Sequence, residues 1–139
     1  SSAASDVYKR QVAEGVKAEV AFVQAMKESA WLKFGGIVKI EQFNFAGLGA
    51  LDGNAQGQAA SFSDVRTGIR AQIQHLKAYG SAEDLKLACV DPRFKYVTRN
   101  SAKYVEWLGI KENPAGVGWA SDKNYGYAIV DMVKVLTSK

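Results

Sequence analysis

Gln24-Ala25-Met26-Lys27-Glu28-Ser29-Ala30-Trp31 closes the first long apolar stretch of the chain, and its reading decides the fold. Upstream of it Val12, Val16, Val20 and Val23 recur at spacings of four, four and three, with Phe22, Met26 and Ala30 beside them. That is the period of a helix with one buried face, so a helix is expected over residues 6–32. Gly35-Gly36 is its expected stop, because two glycines permit backbone conformations that a helix interior penalises.

Working outward, residues 37–62 are rich in Gly, Asn and Ala. Asp52-Gly53-Asn54 is a turn signal between 45–51 and 58–62, which predicts a small, loop-rich hairpin. A second amphipathic helix is expected over 64–79. Val65, Ile69, Ile73 and Leu76 share one face, Ser61 or Ser63 can cap the start, and Gly80 ends it. Ser81-x-x-Asp84 reads as a capping box opening a short helix. Pro92 breaks the chain, a further short helix over 101–108 is closed by Gly109, and 110–119 is loop around Asn113-Pro114. The last helix begins near Asp122 and turns Tyr125, Ile129, Met132/Val133 and Leu136 inward. The sum is a mainly α domain with a minor β-lobe.

At 139 residues the chain is one domain's worth, with 47% hydrophobic and 23% charged residues, which excludes a disordered chain. One cysteine, Cys89, and one histidine, His75, exclude an internal disulfide and a His/Cys metal centre. No buried His/Cys metal centre can be assembled from them, and no organic cofactor is expected. Lys, Glu or Gln interrupts every apolar stretch, so no membrane span is expected. Eighteen basic against fourteen acidic residues give +4, which favours anionic partners such as a cell wall. The charges are dispersed; even the most basic stretch, 86–103, reads as a solvated face, and no nucleic-acid partner is expected.

Glu28 is the first candidate for chemistry. Ala25 lies three residues before it, and Trp31 and Leu32 follow at three and four, all on the helix's apolar side. A carboxyl there loses water, which disfavours its charged form and raises its pKa. An acid that stays protonated near neutrality can protonate a departing glycosidic oxygen. The competing reading is a helix-end glutamate that reaches water. His75 reads as a hydrogen-bonded structural imidazole. Cys89 reads as a small buried residue. Of Trp31, Trp107 and Trp119, one is expected as a sugar-stacking platform and the others as core.

The stretch 24–31, then Phe34-Gly35-Gly36 and Asn44-Phe45-Ala46-Gly47-Leu48-Gly49-Ala50, resembles the β-N-acetylglucosaminidase domains of glycoside hydrolase family 73, which cut bacterial peptidoglycan. The likeness continues through Phe62-Ser63-Asp64-Val65-Arg66, residues 68–79, Val90-Asp91-Pro92-Arg93-Phe94 and Trp119-Ala120-Ser121-Asp122-x-x-Tyr125. It runs in order over about residues 12–137. It implies an α+β, mainly α, lysozyme-like fold, with a helical body and a small β-hairpin lobe flanking a substrate groove. Glu28 matches the family's catalytic glutamate and Tyr125 the tyrosine lining the cleft. Asn44 and Phe45 match an element that orders the turn and packs beneath the cleft; with Trp119 and Trp31 they form the expected substrate-binding set. Asp52 and Asp64 are the weaker candidates for a second catalytic acid. Substrate assistance by the 2-acetamido group needs neither.

Two departures from the family pattern stand out. Ser29-Ala30 follows the glutamate, where the family has Thr-Gly or Ser-Gly. Residues 1–11 match nothing in the family and read as an appended remnant, with 12–139 as the domain. The resemblance implies an endo-acting hydrolase of peptidoglycan glycan strands, working as a monomer. It would be secreted, wall-associated or phage-delivered, any export signal having been removed or lying in a longer precursor. The alternative is a wall-binding module with the same groove and no catalysis.

Overall fold

The computed structural model describes residues 15–31, 33, 38–49 and 59–138. Three helices carry the fold: α1 (Ala18–Glu28), α2 (Val65–Gly80) and α3 (Tyr125–Thr137). Single 3-10 turns lie at Ile40–Gln42, Phe94–Tyr96 and Val105–Leu108. The architecture is mainly α. Among the described residues the β content is one isolated parallel bridge, Gly109 to Ala120.

The core forms where the helices' apolar faces meet: Val20, Ala21, Val23 and Ala25 of α1, Ile69, Ile73, Leu76 and Tyr79 of α2, and Tyr125 and Ile129 of α3. Burying each large aliphatic side chain contributes about 1.5–3 kcal/mol. α3 packs on α1 and on the Val105–Leu108 turn. At Gly68 of α2, a Cβ would collide with the carbonyl oxygen of Phe43, so the glycine lets the 38–49 arm lie directly on the helix. No helix of the described residues is long and apolar enough to cross a membrane.

Several elements differ from the sequence expectation, each for a local reason. α1 ends at Glu28, well before Gly35-Gly36. The Trp31 N–H donates to the Met26 carbonyl at 2.7 Å and the Ala30 N–H to the Lys27 carbonyl at 3.3 Å, the bond pair of a Schellman stop. Ala30 takes the left-handed position of that motif, at φ 51°, and Trp31 follows at φ 59°. Asp64, rather than Ser61 or Ser63, caps α2, accepting the Thr67 N–H at 2.8 Å. No helix follows Ser81, whose hydroxyl closes a tight turn by accepting the Glu83 N–H at 3.0 Å. The helix expected over 101–108 is the one-turn Val105–Leu108. On α3, Tyr125 and Ile129 are buried, whereas Met132 and Leu136 are exposed. Cys89 is exposed, with its thiol toward the Asp91 carbonyl at 3.5 Å.

The two described flanks of the expected hairpin meet: the Ala60 N–H donates to the Leu48 carbonyl at 2.9 Å. Its tip, including Asp52, lies outside the described residues, as do residues 1–14.

Candidate active site

A cleft of about 390 Å³ opens between the end of α1, the 46–49 loop, α2 and the loops at 93–97 and 118–122. That volume falls within the about 300–1,000 Å³ common for small-molecule sites. Glu28 and Asp122 are the acids among its lining residues; His75, Tyr79, Arg93, Tyr96 and Trp119 are also on its walls.

Glu28 reaches the cleft because it is the last residue of α1, where the Schellman stop turns the chain away. Its Oε2 accepts the Tyr125 hydroxyl at 2.9 Å. Its Oε1 is the atom nearest the open side of Gly47, 3.5 Å from where a Cβ would stand. Gly47 has φ 66°, a conformation that L side chains rarely adopt, so the turn beside the carboxylate calls for glycine.

Behind Tyr125 runs a buried chain of hydrogen bonds. Gln24 Nε2 donates to the Tyr125 hydroxyl at 3.1 Å, and Gln72 Nε2 donates to Gln24 Oε1 at 3.0 Å and to the Ala21 carbonyl at 2.9 Å. From Gln72 through Gln24 to Tyr125, the chain runs toward Glu28. Because Tyr125 accepts from Gln24, its one proton is committed to Glu28. Gln24 and Gln72 are fully buried, and they are the site residues that sequence reasoning missed. The available signal was Gln24 one helical turn before Glu28, with Gln72 between the apolar Ile69 and Ile73.

Burial pushes the Glu28 carboxyl above its ordinary range. The Tyr125 hydrogen bond and the Lys27 charge pull it down, and the negative charge of Asp122 pushes it up again. Desolvation wins. Burial and the Glu28 charge hold the Tyr125 phenol well above its usual range, so it stays a donor at any pH at which the protein would work.

The other candidates occupy different places. Asn44 and Phe45 are buried and are not among the cleft-lining residues. Asn44 braces the loop from beneath: its Nδ2 donates to the Leu48 carbonyl at 2.8 Å and the Ala60 carbonyl at 3.0 Å, and its Oδ1 accepts the Leu48 N–H at 3.0 Å. Phe45 sits in the main core. Trp119 lines the cleft, with its indole N–H on the Ala46 carbonyl at 3.1 Å and its ring edge-to-face with His75. Trp31 is 56% exposed and does not line the cleft. Asp64 caps α2 and is also absent from the cleft wall. His75 Nδ1 lies 2.6 Å from Asp91 Oδ2. Among the described residues no three His, Cys, Asp or Glu side chains gather to hold a metal ion.

A half-buried, desolvated carboxyl held by a phenol at the edge of an open cleft is suited to donating a proton to a bound glycan. The model of the Glucosaminidase family, described as mannosyl-glycoprotein endo-beta-N-acetylglucosaminidase, matches residues 4–138. The chain belongs to that family, glycoside hydrolase family 73. It is also 45% identical, over 112 residues, to an uncharacterised protein of Borreliella burgdorferi, a stretch covering 81% of this chain and 50% of the relative. The chain therefore spans about half the length of the curated relative it matches. No solved structure matches it.

Proposed function

We propose that this glucosaminidase domain is an endo-β-N-acetylglucosaminidase that hydrolyses the β-1,4 bond following N-acetylglucosamine in peptidoglycan. The observation that carries the reading is the Glu28 carboxyl, desolvated at the cleft edge with one oxygen held by Tyr125. Burial keeps its proton available, and the Tyr125 bond holds Oε2, leaving Oε1 on the side of Gly47. On this reading the helical body and the 38–49 arm form the two walls of a lysozyme-like groove. The domain is read as 12–139, acting as a monomer on the cell wall from outside the cytoplasm, whether secreted, wall-bound or phage-delivered.

Glu28 gives its proton to the departing oxygen as the glycosidic C–O bond breaks through an oxocarbenium-like transition state. The acetamido oxygen of the same sugar closes onto the anomeric carbon, and water then opens that ring while the Glu28 carboxylate takes one of its protons. On this reading Asp122, which lines the same cleft as Glu28, accepts the acetamido N–H and offsets the positive charge. Asp122 thereby takes up the supporting role considered for Asp64, whose carboxylate caps α2, while Asp52 lies outside the described residues.

The test is clearance of purified cell walls by the parent and by Glu28→Gln. The amide keeps the shape and cannot donate an acidic proton, so the rate should fall by about 10²–10⁴-fold. An unchanged rate removes Glu28 from the mechanism, and wall binding without clearance by the parent identifies a binding module. Proton NMR of the fresh product reads the second step. A β-anomer fits acetamido participation, whereas an α-anomer makes Asp122 a general base acting on water.

A further inference from the structure

The basic segment 86–103 divides into charges that the fold uses and charges that it does not. Arg99 belongs to the fold: its Nε and Nη2 donate to the Ser81 carbonyl at 3.1 and 2.8 Å, and Nη2 also donates to the Glu83 carbonyl at 2.7 Å. Arg93 is different. It lines the same cleft as Glu28, and its guanidinium carbon lies 4.5 Å from the ring centroid of Tyr96. Tyr96 is itself on the cleft wall and 63% exposed. Lys95 brings a second cation to the same ring, its Nζ 5.2 Å from the centroid.

The carboxylate nearest in sequence does not neutralise Arg93. Asp91 is buried, and both its oxygens are engaged: Oδ2 with His75 Nδ1 at 2.6 Å, and Oδ1 with the backbone N–H of Arg93 at 2.9 Å. Asp91 thus ties the Arg93 backbone to α2 through His75. Among the described residues no carboxylate stands within ion-pair distance of the Arg93 guanidinium. A guanidinium stacked on an aromatic ring keeps its N–H edges for a planar anion, and carboxylates fit that fork with paired, charge-assisted hydrogen bonds. The Arg93 charge also reaches across the cleft wall. Burial raises the Tyr79 phenol pKa, Asp91 adds to the rise, and Arg93 opposes it.

We propose that Arg93, seated on Tyr96, is a specificity residue of the cleft and binds a carboxylate of the muramic acid unit in the glycan. The inference rests on the peptidoglycan glucosaminidase reading. In that polymer the sugar on each side of N-acetylglucosamine is N-acetylmuramic acid, so a carboxylate falls within one ring of the cleaved bond. It comes from the lactyl ether where the strand is bare, or from the peptide stem where one is attached. A neutral N-acetylglucosamine polymer has no such group.

The experiment measures kcat and KM on soluble glycan strands of two kinds, stripped of stems by an amidase and stem-bearing. Each is used as the free carboxylate and after carbodiimide conversion to the carboxamide. The parent should prefer the carboxylate form by about tenfold in kcat/KM, through KM, as befits one partly solvated charge-assisted contact. The preference should shrink as salt is added. Arg93→Gln should bring the ratio close to one, and Arg93→Lys should retain part of it. A preference confined to stripped strands assigns the lactyl carboxylate, and one confined to stem-bearing strands assigns the stem. An undiminished ratio in Arg93→Gln, or no preference in the parent, overturns the proposal. If the parent cuts no strand at all, the glucosaminidase reading has failed instead. The same carboxylate dependence is then read from retention of the strands on immobilised parent and variant, where equal retention rejects Arg93.

Discussion

Removing one oxygen from the site, in Tyr125→Phe, tests the buried chain that ends on Glu28. The hydroxyl donates to Glu28 Oε2 at 2.9 Å and accepts from Gln24 Nε2 at 3.1 Å, so the substitution ends both bonds and leaves a buried amide donor without its partner. A buried group left unsatisfied costs about 1–3 kcal/mol. For a domain of 139 residues each kcal/mol lowers Tm by about 3–5 °C, so a fall of several degrees is expected. The effect on Glu28 has a definite sign. Its pKa is already raised by burial, and the Tyr125 bond is the largest influence pulling it down. Without that bond the pKa should rise further. A general acid works only while protonated, so the limb of the pH–rate profile that falls with increasing pH should move to higher pH, while turnover drops because the carboxyl is no longer held in place. Gln24→Met, which weakens the same chain one link back, should cost stability non-additively with Tyr125→Phe, with a coupling of about 0.5–3 kcal/mol. The assay is a pH series of glycan hydrolysis beside thermal unfolding of the three variants. A lowered Tm with unchanged turnover and an unmoved limb would refute the role given to Tyr125 and leave it a core residue.

Further expectations rest on single positions. Ala30→Gly relieves a left-handed backbone at φ 51°, which costs an L residue about 1–2 kcal/mol, partly offset by the freedom glycine gains in the unfolded chain; the net gain of about 0.5–1 kcal/mol should appear as a Tm a few degrees higher, and a lower Tm would contradict the Schellman stop. Asn44→Ala strips the bonds to Leu48 and Ala60 that brace the loop under the cleft, and denaturant titration should show a loss of about 2–4 kcal/mol. Glu28→Gln should stabilise the fold at neutral pH. A carboxyl whose folded pKa is raised supports the folded state fully below its unfolded pKa, and that support is lost as pH rises through the folded value; the amide has no such loss, so its advantage in Tm should vanish below about pH 4.

The helix interiors were legible because their signal is repeated: α2 carries Val65, Ile69, Ile73 and Leu76 on one face, and one ambiguous position does not erase it. Ends were less legible, because they depend on single backbone choices. Gly35-Gly36 looked like the stop of α1, yet the chain leaves the helix at Ser29-Ala30, where alanine occupies a position that glycine would fill more easily. Ser81-x-x-Asp84 had the spacing of a capping box, but the serine closes a local turn and Lys77 Nζ bonds the Asp84 carbonyl at 2.8 Å. In the candidate site, Glu28 and Tyr125 were named where chemistry and motif coincide; they stand 97 positions apart and meet in a hydrogen bond. Gln24 and Gln72 were not. A glutamine reads as surface until its partner is known, and these two are each other's partners across a helix interface. Asp122 likewise read as the start of a helix, and only the fold places it on the cleft wall with Glu28.

The central claim is that this cleft cuts peptidoglycan after N-acetylglucosamine with Glu28 as the acid. Mass spectrometry of muropeptides released from purified cell walls, after borohydride reduction, reads the new reducing end directly. The parent should release fragments ending in reduced N-acetylglucosamine, and Glu28→Gln should release almost none. Fragments ending in reduced N-acetylmuramic acid, or the same yield from Glu28→Gln as from the parent, would contradict it.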